Sequence, residues 1–151
     1  MDKDQSPSNL VNVEQATVTR VLDADTIEVE MNGDILDVRL LLVDTPETVH
    51  PNIAPEPFGV EASLYAKRIL PRGKRVQLEF DGPLCDMYGR ILAYMWVDGQ
   101  LFNEMLLEEG MAHIAYVFDP PYTYYEQFVS AQGRARRGRK GIWGVGYRRY
   151  E

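Results

Sequence analysis

The strongest structural signal in the sequence is TIEVEMNGDILDVRLLLV, residues 26–43. Thr26–Met31 alternates apolar and polar side chains, which is the pattern of a half-buried β-strand. Asn32-Gly33 follows, and this dipeptide favours the tight turn of a β-hairpin. Ile35–Val43 is almost continuously apolar, as expected for a central strand that is buried on both faces. The stretch therefore predicts two strands joined by a hairpin turn.

The segments on either side of this hairpin complete a predicted barrel. Five short strands with a helix between the third and the fourth follow the order of an OB-fold. The sequence thus predicts a mainly β protein with α-helices, a five-stranded OB-fold β-barrel packed with three α-helices. The further strands are expected over Thr17–Leu22, Arg75–Phe80 and Arg90–Val97, and the helices over Phe58–Leu70, Leu101–Glu109 and Tyr122–Arg137.

The chain length and composition indicate one soluble globular domain. The chain has 151 residues, of which 45% are hydrophobic and 26% are charged. We expect a disordered N-terminal segment over residues 1–12, a folded domain over 13–143 and a C-terminal tail over 144–151. No apolar run approaches the ~18 residues of a membrane-spanning helix, and Met1–Leu10 lacks the apolar stretch of a signal peptide.

The charge is unevenly distributed along the chain. The net charge is −7, which at first argues against a nucleic-acid partner. Residues 132–151, however, carry seven basic side chains and one acid, whereas residues 1–131 carry nine basic and 22 acidic side chains. The basic segment is either a phosphate-binding patch or a solvated helix face that pairs with carboxylates of the same chain.

The few cysteines and histidines limit the kinds of metal site that the chain can form. Cys85 is the single cysteine, which excludes an internal disulfide and a cysteine-based zinc site. His50 and His113 are the only histidines, and we interpret them as a loop residue and a strand-edge residue. A bound metal would therefore be held by oxygen atoms, which favours Ca²⁺ or Mg²⁺.

Charged side chains gather around the end of the strand that contains Arg39. A guanidinium in an apolar strand is costly to bury unless acids or phosphate meet it, and Asp44 and Glu47 follow directly. Asp25 opens the first hairpin, so pairing of neighbouring strands would bring it close to Asp44. Two carboxylates brought together favour a cation between them. A structural ion pair is the alternative interpretation.

Thr45 and Arg90 extend this group. Pro46 biases Thr45 towards an extended backbone, which leaves the carbonyl of Thr45 free to face a ligand. Two carboxylates, a carbonyl and waters can together bind a hard cation. Arg90 begins a strand after a turn and adds a second fixed cation. Two arginines, a metal and a carboxylate that takes a proton from water are what phosphodiester cleavage requires.

Several motifs of the chain resemble those of the staphylococcal nuclease family in order and spacing. The resemblance runs from about Val13 to Trp143, and its most specific part is Arg39–Thr48. It implies an OB-fold barrel of five strands with three helices, in agreement with the pattern above. The other motifs are Asp23-Ala-Asp-Thr26, Tyr88-Gly-Arg90, Ala115-Tyr-Val117 and Gly141-Ile-Trp143.

The resemblance implies a calcium-dependent phosphodiesterase that hydrolyses DNA and RNA. Single strands would be preferred, with little specificity for base sequence, and the products would end in 3′-phosphates. By position in the motifs, Asp25 and Asp44 would bind Ca²⁺ through their carboxylates and Thr45 through its backbone carbonyl.

The resemblance also implies roles for residues that meet the substrate. Glu47 would orient or deprotonate the attacking water. Arg39 and Arg90 would hold the phosphate and stabilise its transition-state charge, and Arg90 would assist the leaving 5′ oxygen. Tyr116 would stack on a base, and Asp86 would contribute to substrate binding.

Three positions depart from the family pattern and imply weaker substrate affinity. Ala24 replaces a glycine, Met87 replaces a lysine that contacts the nucleotide phosphate, and Phe118 replaces a second pocket tyrosine. The alternative function is a non-catalytic nucleic-acid or protein-binding module, but such modules usually lack several of the site residues that this chain retains. The bacterial family is mostly exported, so we expect an exported monomer that has lost its signal, with a cytoplasmic location left open.

Overall fold

Strands and helices form most of the chain that the computed structural model describes, residues 13–47, 57–118 and 121–144. The predicted segment 1–12, the tail from residue 145 onwards and His50 lie outside these residues. No helix among the described residues is long and apolar enough to span a membrane. The strands are β1 (Val13–Asp23), β2 (Thr26–Met31), β3 (Asp34–Leu40), β4 (Val43–Asp44), β5 (Arg75–Glu79), β6 (Ile91–Val97), β7 (Gln100–Leu101) and β8 (His113–Ile114). The helices are α1 (Gly59–Ile69), α2 (Phe102–Glu108) and α3 (Tyr125–Arg137), and a 3-10 turn covers Gly141–Trp143.

Five of the strands close into a barrel. β1 pairs antiparallel with β2 and with β5, β2 pairs antiparallel with β3, and β5 pairs antiparallel with β6. Parallel pairing of β3 with β6 closes the ring and sets Arg39 opposite Leu92. Closure removes the unpaired edges that an open sheet would expose. The predicted five-stranded OB-fold barrel with three helices is confirmed.

The hairpin of β2 and β3 forms where the sequence predicts it. Asn32 and Gly33 adopt positive φ angles of 54° and 89°, as a two-residue hairpin turn requires. The register that this turn sets brings Thr26 opposite Arg39 at the far end of the hairpin. Arg39 therefore lies at the end of the barrel that also carries the β1–β2 turn.

The predicted strand Ile35–Val43 is wrong in its last part, because the backbone leaves the sheet after β3. Leu42 has a φ of 68°, in the left-handed region that a β-strand does not use. The buried amide of Asn103 holds this break. Its Nδ2 donates to the carbonyl of Leu41 at 2.9 Å, and its Oδ1 accepts from the amide of Met95 at 2.9 Å. The chain then resumes as β4, which pairs with β8 in a separate small sheet.

A buried carboxylate joins the start of α3 to the barrel wall. Glu79 on β5 accepts hydrogen bonds from the indole Nε1 of Trp96 and from the hydroxyl of Tyr124, both at 2.8 Å. A buried charge is tolerated when such bonds satisfy it. Burial and the bond to Glu79 raise the pKa of the Tyr124 hydroxyl, so this group stays protonated and continues to donate at neutral pH.

Three of the five basic side chains that the structure describes between residues 132 and 144 contact other groups of the chain. Arg134 lies 2.7 Å from the carboxylate of Glu108, and Nζ of Lys140 lies 3.4 Å from that of Glu109. The guanidinium of Arg136 lies over Trp143, with its Cζ 5.1 Å from the ring centre. These contacts favour the interpretation of a solvated helix face over that of a phosphate-binding patch.

After α3 the backbone passes close to the end of α2. Gly110 and Gly141 have φ angles of 71° and 55°, and a β-carbon on either residue would collide with the backbone of the other segment. The amide of Ile142 donates to the carbonyl of Gly110 at 2.9 Å. This contact leaves Ile142 and Trp143 packed against Ala135 of α3.

Candidate active site

Asp25 occupies the turn between β1 and β2, where its side chain is buried. Ala24 before it keeps a negative φ, so the β-carbon that replaces the family glycine causes no strain. The hydroxyl of Thr26 donates to Oδ1 of Asp25 at 3.1 Å, and the backbone amide of Thr45 donates to Oδ2 at 3.0 Å. The carboxylate is thereby fixed between β2 and the residue directly after β4.

Arg39 links the two carboxylates that were predicted to bind a metal. Its Nη2 lies 3.4 Å from Oδ2 of Asp25 and 3.3 Å from Oδ1 of Asp44. Its Nη1 donates to the carbonyls of Leu40 at 2.9 Å and Val43 at 2.7 Å. The side chain is 11% exposed, and these contacts satisfy donors that burial would otherwise leave unpaired. The orientation of the guanidinium is therefore fixed by the protein.

The break after β3 brings Asp44 into the site. β4 pairs with β8 so that Asp44 lies opposite His113, whose Nε2 is 3.9 Å from Oδ2 of Asp44. Beyond β8, Tyr116 has a φ of 59° and presents an exposed ring, whose centre lies 5.2 Å from Cζ of Arg39. A positive φ at a tyrosine is strained, and strain of this kind concentrates at functional sites.

Asp86 orients Arg90 at the start of β6. Its Oδ2 accepts from Nε of Arg90 at 2.7 Å, and its Oδ1 accepts from the amides of Tyr88 and Arg90, each at 2.9 Å. Partial burial opposes ionisation of Asp86, but these bonds outweigh it and hold the pKa of the carboxyl below its usual 3.8. Arg90 stands two residues before Leu92, the parallel partner of Arg39, and directly precedes the strand that adjoins β3.

The donors around Asp25 and Asp44 fit a hard divalent cation. Their carboxylates lie within 3.4 Å of one nitrogen atom of Arg39, so two acidic side chains meet at one guanidinium. The buried hydroxyl of Thr45 has no hydrogen-bond partner in the described part of the chain, so a further oxygen beside them is unsatisfied. Within residues 13–47, 57–118 and 121–144 no three His, Cys, Asp or Glu side chains converge. Backbone oxygens and waters would therefore have to complete the coordination of a cation.

Seven of the eight predicted site residues fall into two connected groups. The first group is built around Arg39 and reaches from the β1–β2 turn to the exposed ring of Tyr116 beyond β8. The second is the ion pair in the loop directly before β6. The eighth residue, Glu47, is exposed just after β4, and the chain directly beyond it lies outside the described residues. The first group contains Asp25, Arg39, Asp44, Thr45 and Tyr116, and the second contains Asp86 and Arg90.

Two further residues lie beside the site without having been assigned a role from the sequence. His113 is a strand-edge residue as interpreted, but its strand also sets it against Asp44. The strands β4 and β8 have two residues each, too few to show an alternating pattern from which this pairing could be predicted. Tyr88 places its ring centre 5.3 Å from Cζ of Arg90, and the Tyr88-Gly-Arg90 motif is the sequence signal that marks it.

The chain is similar in sequence to proteins described as endonucleases and thermonucleases. The model of the family described as staphylococcal nuclease homologue matches residues 37–145. The chain is 46% identical over 128 residues to the SPbeta prophage-derived endonuclease YokF and 46% identical over 140 residues to endonuclease YncB, both of Bacillus subtilis. It is 44% identical over 138 residues to the thermonuclease of Staphylococcus hyicus.

The three alignments cover most of this chain but different shares of the relatives. The alignment with YokF includes 84% of the present chain, that with YncB 92% and that with the thermonuclease 90%. They include 43% of YokF, 64% of YncB and 80% of the thermonuclease. The chain thus spans less than two thirds of the length of either Bacillus endonuclease.

Proposed function

Because the chain belongs to the staphylococcal nuclease homologue family, we propose that it is a calcium-dependent nuclease. It hydrolyses phosphodiester bonds of DNA and RNA, preferably in single strands, by direct attack of water, and its products end in 3′-phosphates. The observation that carries this proposal is the position of Arg39, whose Nη2 lies within 3.4 Å of the carboxylates of both Asp25 and Asp44. A fixed guanidinium beside a cation-binding pair of carboxylates suits a phosphodiester, because both positive groups can stabilise its developing charge.

Asp25 and Asp44 would hold the calcium ion through their carboxylates, and Thr45 would hold it through its backbone carbonyl. When bound, calcium supplies positive charge that neutralises the phosphate and favours ionisation of a nearby water. The hydrogen bond from the amide of Thr45 to Asp25 supports this set of calcium ligands, because it fixes the backbone of Thr45 beside the carboxylate of Asp25. The meeting of the two carboxylates at Arg39 supports it as well.

Arg39 and Arg90 would bind the phosphate oxygens and stabilise the negative charge that grows on them in the transition state. Each guanidinium is already oriented by a carboxylate, so little reorganisation accompanies the reaction. Arg90 is more accessible, with 32% of its side chain exposed. It would also donate a hydrogen bond to the leaving 5′ oxygen, and cleavage of the bond between that oxygen and phosphorus leaves the phosphate on the 3′ side.

Glu47 would orient the attacking water or take its proton. Its exposure and its position two residues beyond Thr45 suit a group that must meet water next to the metal-binding carboxylates. Direct attack by water needs no covalent intermediate on the protein, and none of the proposed roles calls for a nucleophilic side chain.

Tyr116 would stack on a base next to the cleaved bond, because its exposed ring faces Arg39. Asp86 was predicted to contribute to substrate binding. Its carboxylate oxygens already accept bonds from Arg90 and from the amide of Tyr88. We therefore assign Asp86 an indirect role, in which it positions Arg90 for the phosphate.

Digestion of denatured DNA and of RNA tests the proposed function. The purified chain is incubated with each substrate in calcium, in magnesium and with a chelator, and the ends of the products are identified by their sensitivity to a phosphatase. We expect cleavage in calcium, arrest by the chelator and 3′-phosphate ends. Digestion that continues after chelation would contradict the metal role. Calcium-independent binding without cleavage would support a non-catalytic module instead.

A further inference from the structure

The side chain of Gln132 on α3 makes a hydrogen bond to the backbone of β8. Its Oε1 accepts from the amide of Ile114 at 2.7 Å, across 18 positions of sequence. None of the roles proposed above for the active-site residues uses Gln132. The bond links a helix outside the candidate site to a strand that carries part of it.

The strand that receives this bond is too short to be held by its own pairing. β8 contains His113 and Ile114 alone and pairs with the two residues of β4. In the described part of the chain this sheet has no third strand, and even a complete two-stranded hairpin is only marginally stable in water. The amide of Ala115 adds a bond to the carbonyl of Leu42 at 3.0 Å. The bond to Gln132 ties β8 to a helix in addition.

α3 can support β8 firmly because its own packing fixes it to the body of the protein. Phe128, Ala131 and Ala135 are completely buried along one face of this helix. On another face Arg134 lies 2.7 Å from the carboxylate of Glu108 on α2. A hydrogen-bonding side chain on a helix held in this way positions its partner more precisely than one on a loop.

Two groups of the candidate site depend on the position of β8. The register of the small sheet sets Asp44 opposite His113, whose Nε2 lies 3.9 Å from Oδ2 of Asp44. Tyr116 follows two residues after the strand, and its ring centre lies 5.2 Å from Cζ of Arg39. The φ of Tyr116 is 59°, and such a strained conformation persists only where the surrounding structure fixes it. A shift of β8 would therefore displace both groups.

We propose that Gln132 is a positioning residue of the active site. By holding β8 against α3, it keeps Asp44 in place for calcium and Tyr116 in place for the substrate. This inference rests on the proposed function, because it takes those two residues to bind calcium and a base. Gln132 acts only through β8, so its loss weakens the binding of calcium and substrate but leaves the chemical step intact once both are bound.

Two substitutions of Gln132 separate its hydrogen bond from the rest of the side chain. Gln132→Met keeps the length of the side chain but removes the acceptor, whereas Gln132→Glu keeps an acceptor oxygen at nearly the same place. Gln127→Met is the matched control on the same helix. Nε2 of Gln127 donates to the carboxylate of Glu104 on α2 at 2.5 Å, so this control removes a hydrogen bond between α3 and α2.

Amide hydrogen exchange in the calcium-free proteins tests the hold on β8 without any measurement of activity. The amide of Ala115 is the probe, because its own acceptor, the carbonyl of Leu42, is untouched by the substitutions. In Gln132→Met we expect its exchange to accelerate by about five-fold more than that of the amides of β5, as the loss of one hydrogen bond predicts. Gln132→Glu and Gln127→Met should show no such local acceleration. Equal acceleration at β8 and β5 would make the effect global and overturn the proposal.

Calcium titration and steady-state cleavage of a single-stranded oligonucleotide measure the consequence for the site. We expect Gln132→Met to raise both the calcium dissociation constant and KM by about five-fold, and to leave kcat at saturating calcium and substrate within about two-fold of the wild type. Gln132→Glu should restore both constants, and Gln127→Met should not change them. A fall in kcat alone, or no rescue by Gln132→Glu, would overturn the proposal.

The two kinds of measurement keep failure of this inference distinct from failure of the proposed function. If the wild-type chain neither binds calcium nor cleaves, the proposed function fails, and hydrogen exchange still decides whether Gln132 holds β8. If the wild type cleaves in calcium but Ala115 shows no local acceleration in Gln132→Met, the proposed function stands and Gln132 has no positioning role. Failure of Gln132→Met to fold would likewise assign Gln132 to stability alone.

Discussion

The backbone amide of Thr45 donates a hydrogen bond to Oδ2 of Asp25 at 3.0 Å, and this bond ties the β1–β2 turn to the end of β4. The same oxygen lies 3.4 Å from Nη2 of Arg39. One acidic side chain therefore orders both the backbone that is proposed to bind calcium and the guanidinium that is proposed to bind phosphate. Loss of its charge should affect metal binding before it affects the fold.

Asp25→Asn should abolish the stabilisation of the protein by calcium. The amide keeps the shape of the side chain and can still accept the bond from Thr45, but it lacks the charge that a hard cation requires. Calcium should raise the Tm of the wild type and leave that of the variant unchanged, because a ligand of the folded state stabilises that state. Thermal unfolding with and without calcium measures this. Asp98→Asn, at an exposed carboxylate paired with Lys74, should keep the shift, and an equal shift in both variants would remove Asp25 from the metal site.

Glu47→Gln and Arg90→Ala should each lower kcat by at least ~10²-fold, the usual scale for a general base or a transition-state cation. Each substitution removes a charge that is proposed to act on the reacting groups and leaves the barrel core untouched. Steady-state cleavage of a short single-stranded oligonucleotide measures the change. Arg72→Ala, at an exposed guanidinium on the α1–β5 connection, is the control and should cleave at the wild-type rate. A loss of only a few-fold in either site variant would take that residue out of the mechanism.

Asp86→Asn should destabilise the protein near neutral pH, and the difference should vanish in acid. Burial opposes ionisation of Asp86, but its bonds from Arg90 and Tyr88 lower its folded-state pKa below 3.8. The charged form therefore contributes stability above the unfolded-state pKa, and this contribution is lost as the pH falls through the folded-state value. We expect a loss of about 1–2 kcal/mol at pH 7 for a carboxylate with charge-assisted bonds. Urea unfolding of both proteins from pH 7 to pH 2.5 checks this, and a difference that stays constant with pH would contradict it.

Asn103→Ala should cost about 3 kcal/mol of unfolding free energy, because it leaves two buried backbone groups without a partner. These groups are the carbonyl of Leu41 and the amide of Met95, each 2.9 Å from the side chain of Asn103. Urea unfolding measures the loss. Gln77→Ala, in an exposed side-chain pair with Gln15, should change stability by less than about 0.5 kcal/mol. If the two variants were equally stable, Asn103 would not hold the break between β3 and β4.

Neutralising Arg136 and Arg137 to glutamine should change the cleavage rate by less than about two-fold, since screened surface charges contribute little. Arg136 lies over Trp143, and the neighbouring Arg134 and Lys140 are paired with glutamates of α2 and its C-terminal end. Cleavage is measured together with thermal unfolding, so that a folding defect is recognised. A steep loss of activity with an unchanged Tm would identify this segment as a phosphate-binding patch after all.

The barrel was predictable because its strands carry their own signals. Thr26–Met31 alternates and Asn32-Gly33 makes the turn, and both appear in the structure as predicted. The end of β3 was not predictable, because Leu41, Leu42 and Val43 continue an apolar run while the backbone turns. The break depends on the side chain of Asn103, which is 62 residues away in sequence from Leu41, and no local pattern reports such a contact.

The sequence predicted that Asp25 and Asp44 lie close together, and both lie within 3.4 Å of Arg39, but the roles of the site residues stay predictions. The group around Arg39 assembles because the Thr26–Arg39 register and the bond from Thr45 to Asp25 bring distant segments together. The contacts of His113 depend on β4 and β8, whose two residues each give no periodic signal. The metal itself, the nature of the products and an exported, monomeric state stay predictions.

The two glycines where α2 ends and the 3-10 turn begins restrict which sequences can adopt this fold. Gly110 and Gly141 touch backbone to backbone, so neither position can accept any other amino acid without forcing the two segments apart. This backbone contact therefore holds the 3-10 turn that carries Trp143 against the end of α2. A larger side chain at either glycine would therefore be expected to pull Ile142 and Trp143 away from Ala135 of α3 and to lower the free energy of unfolding.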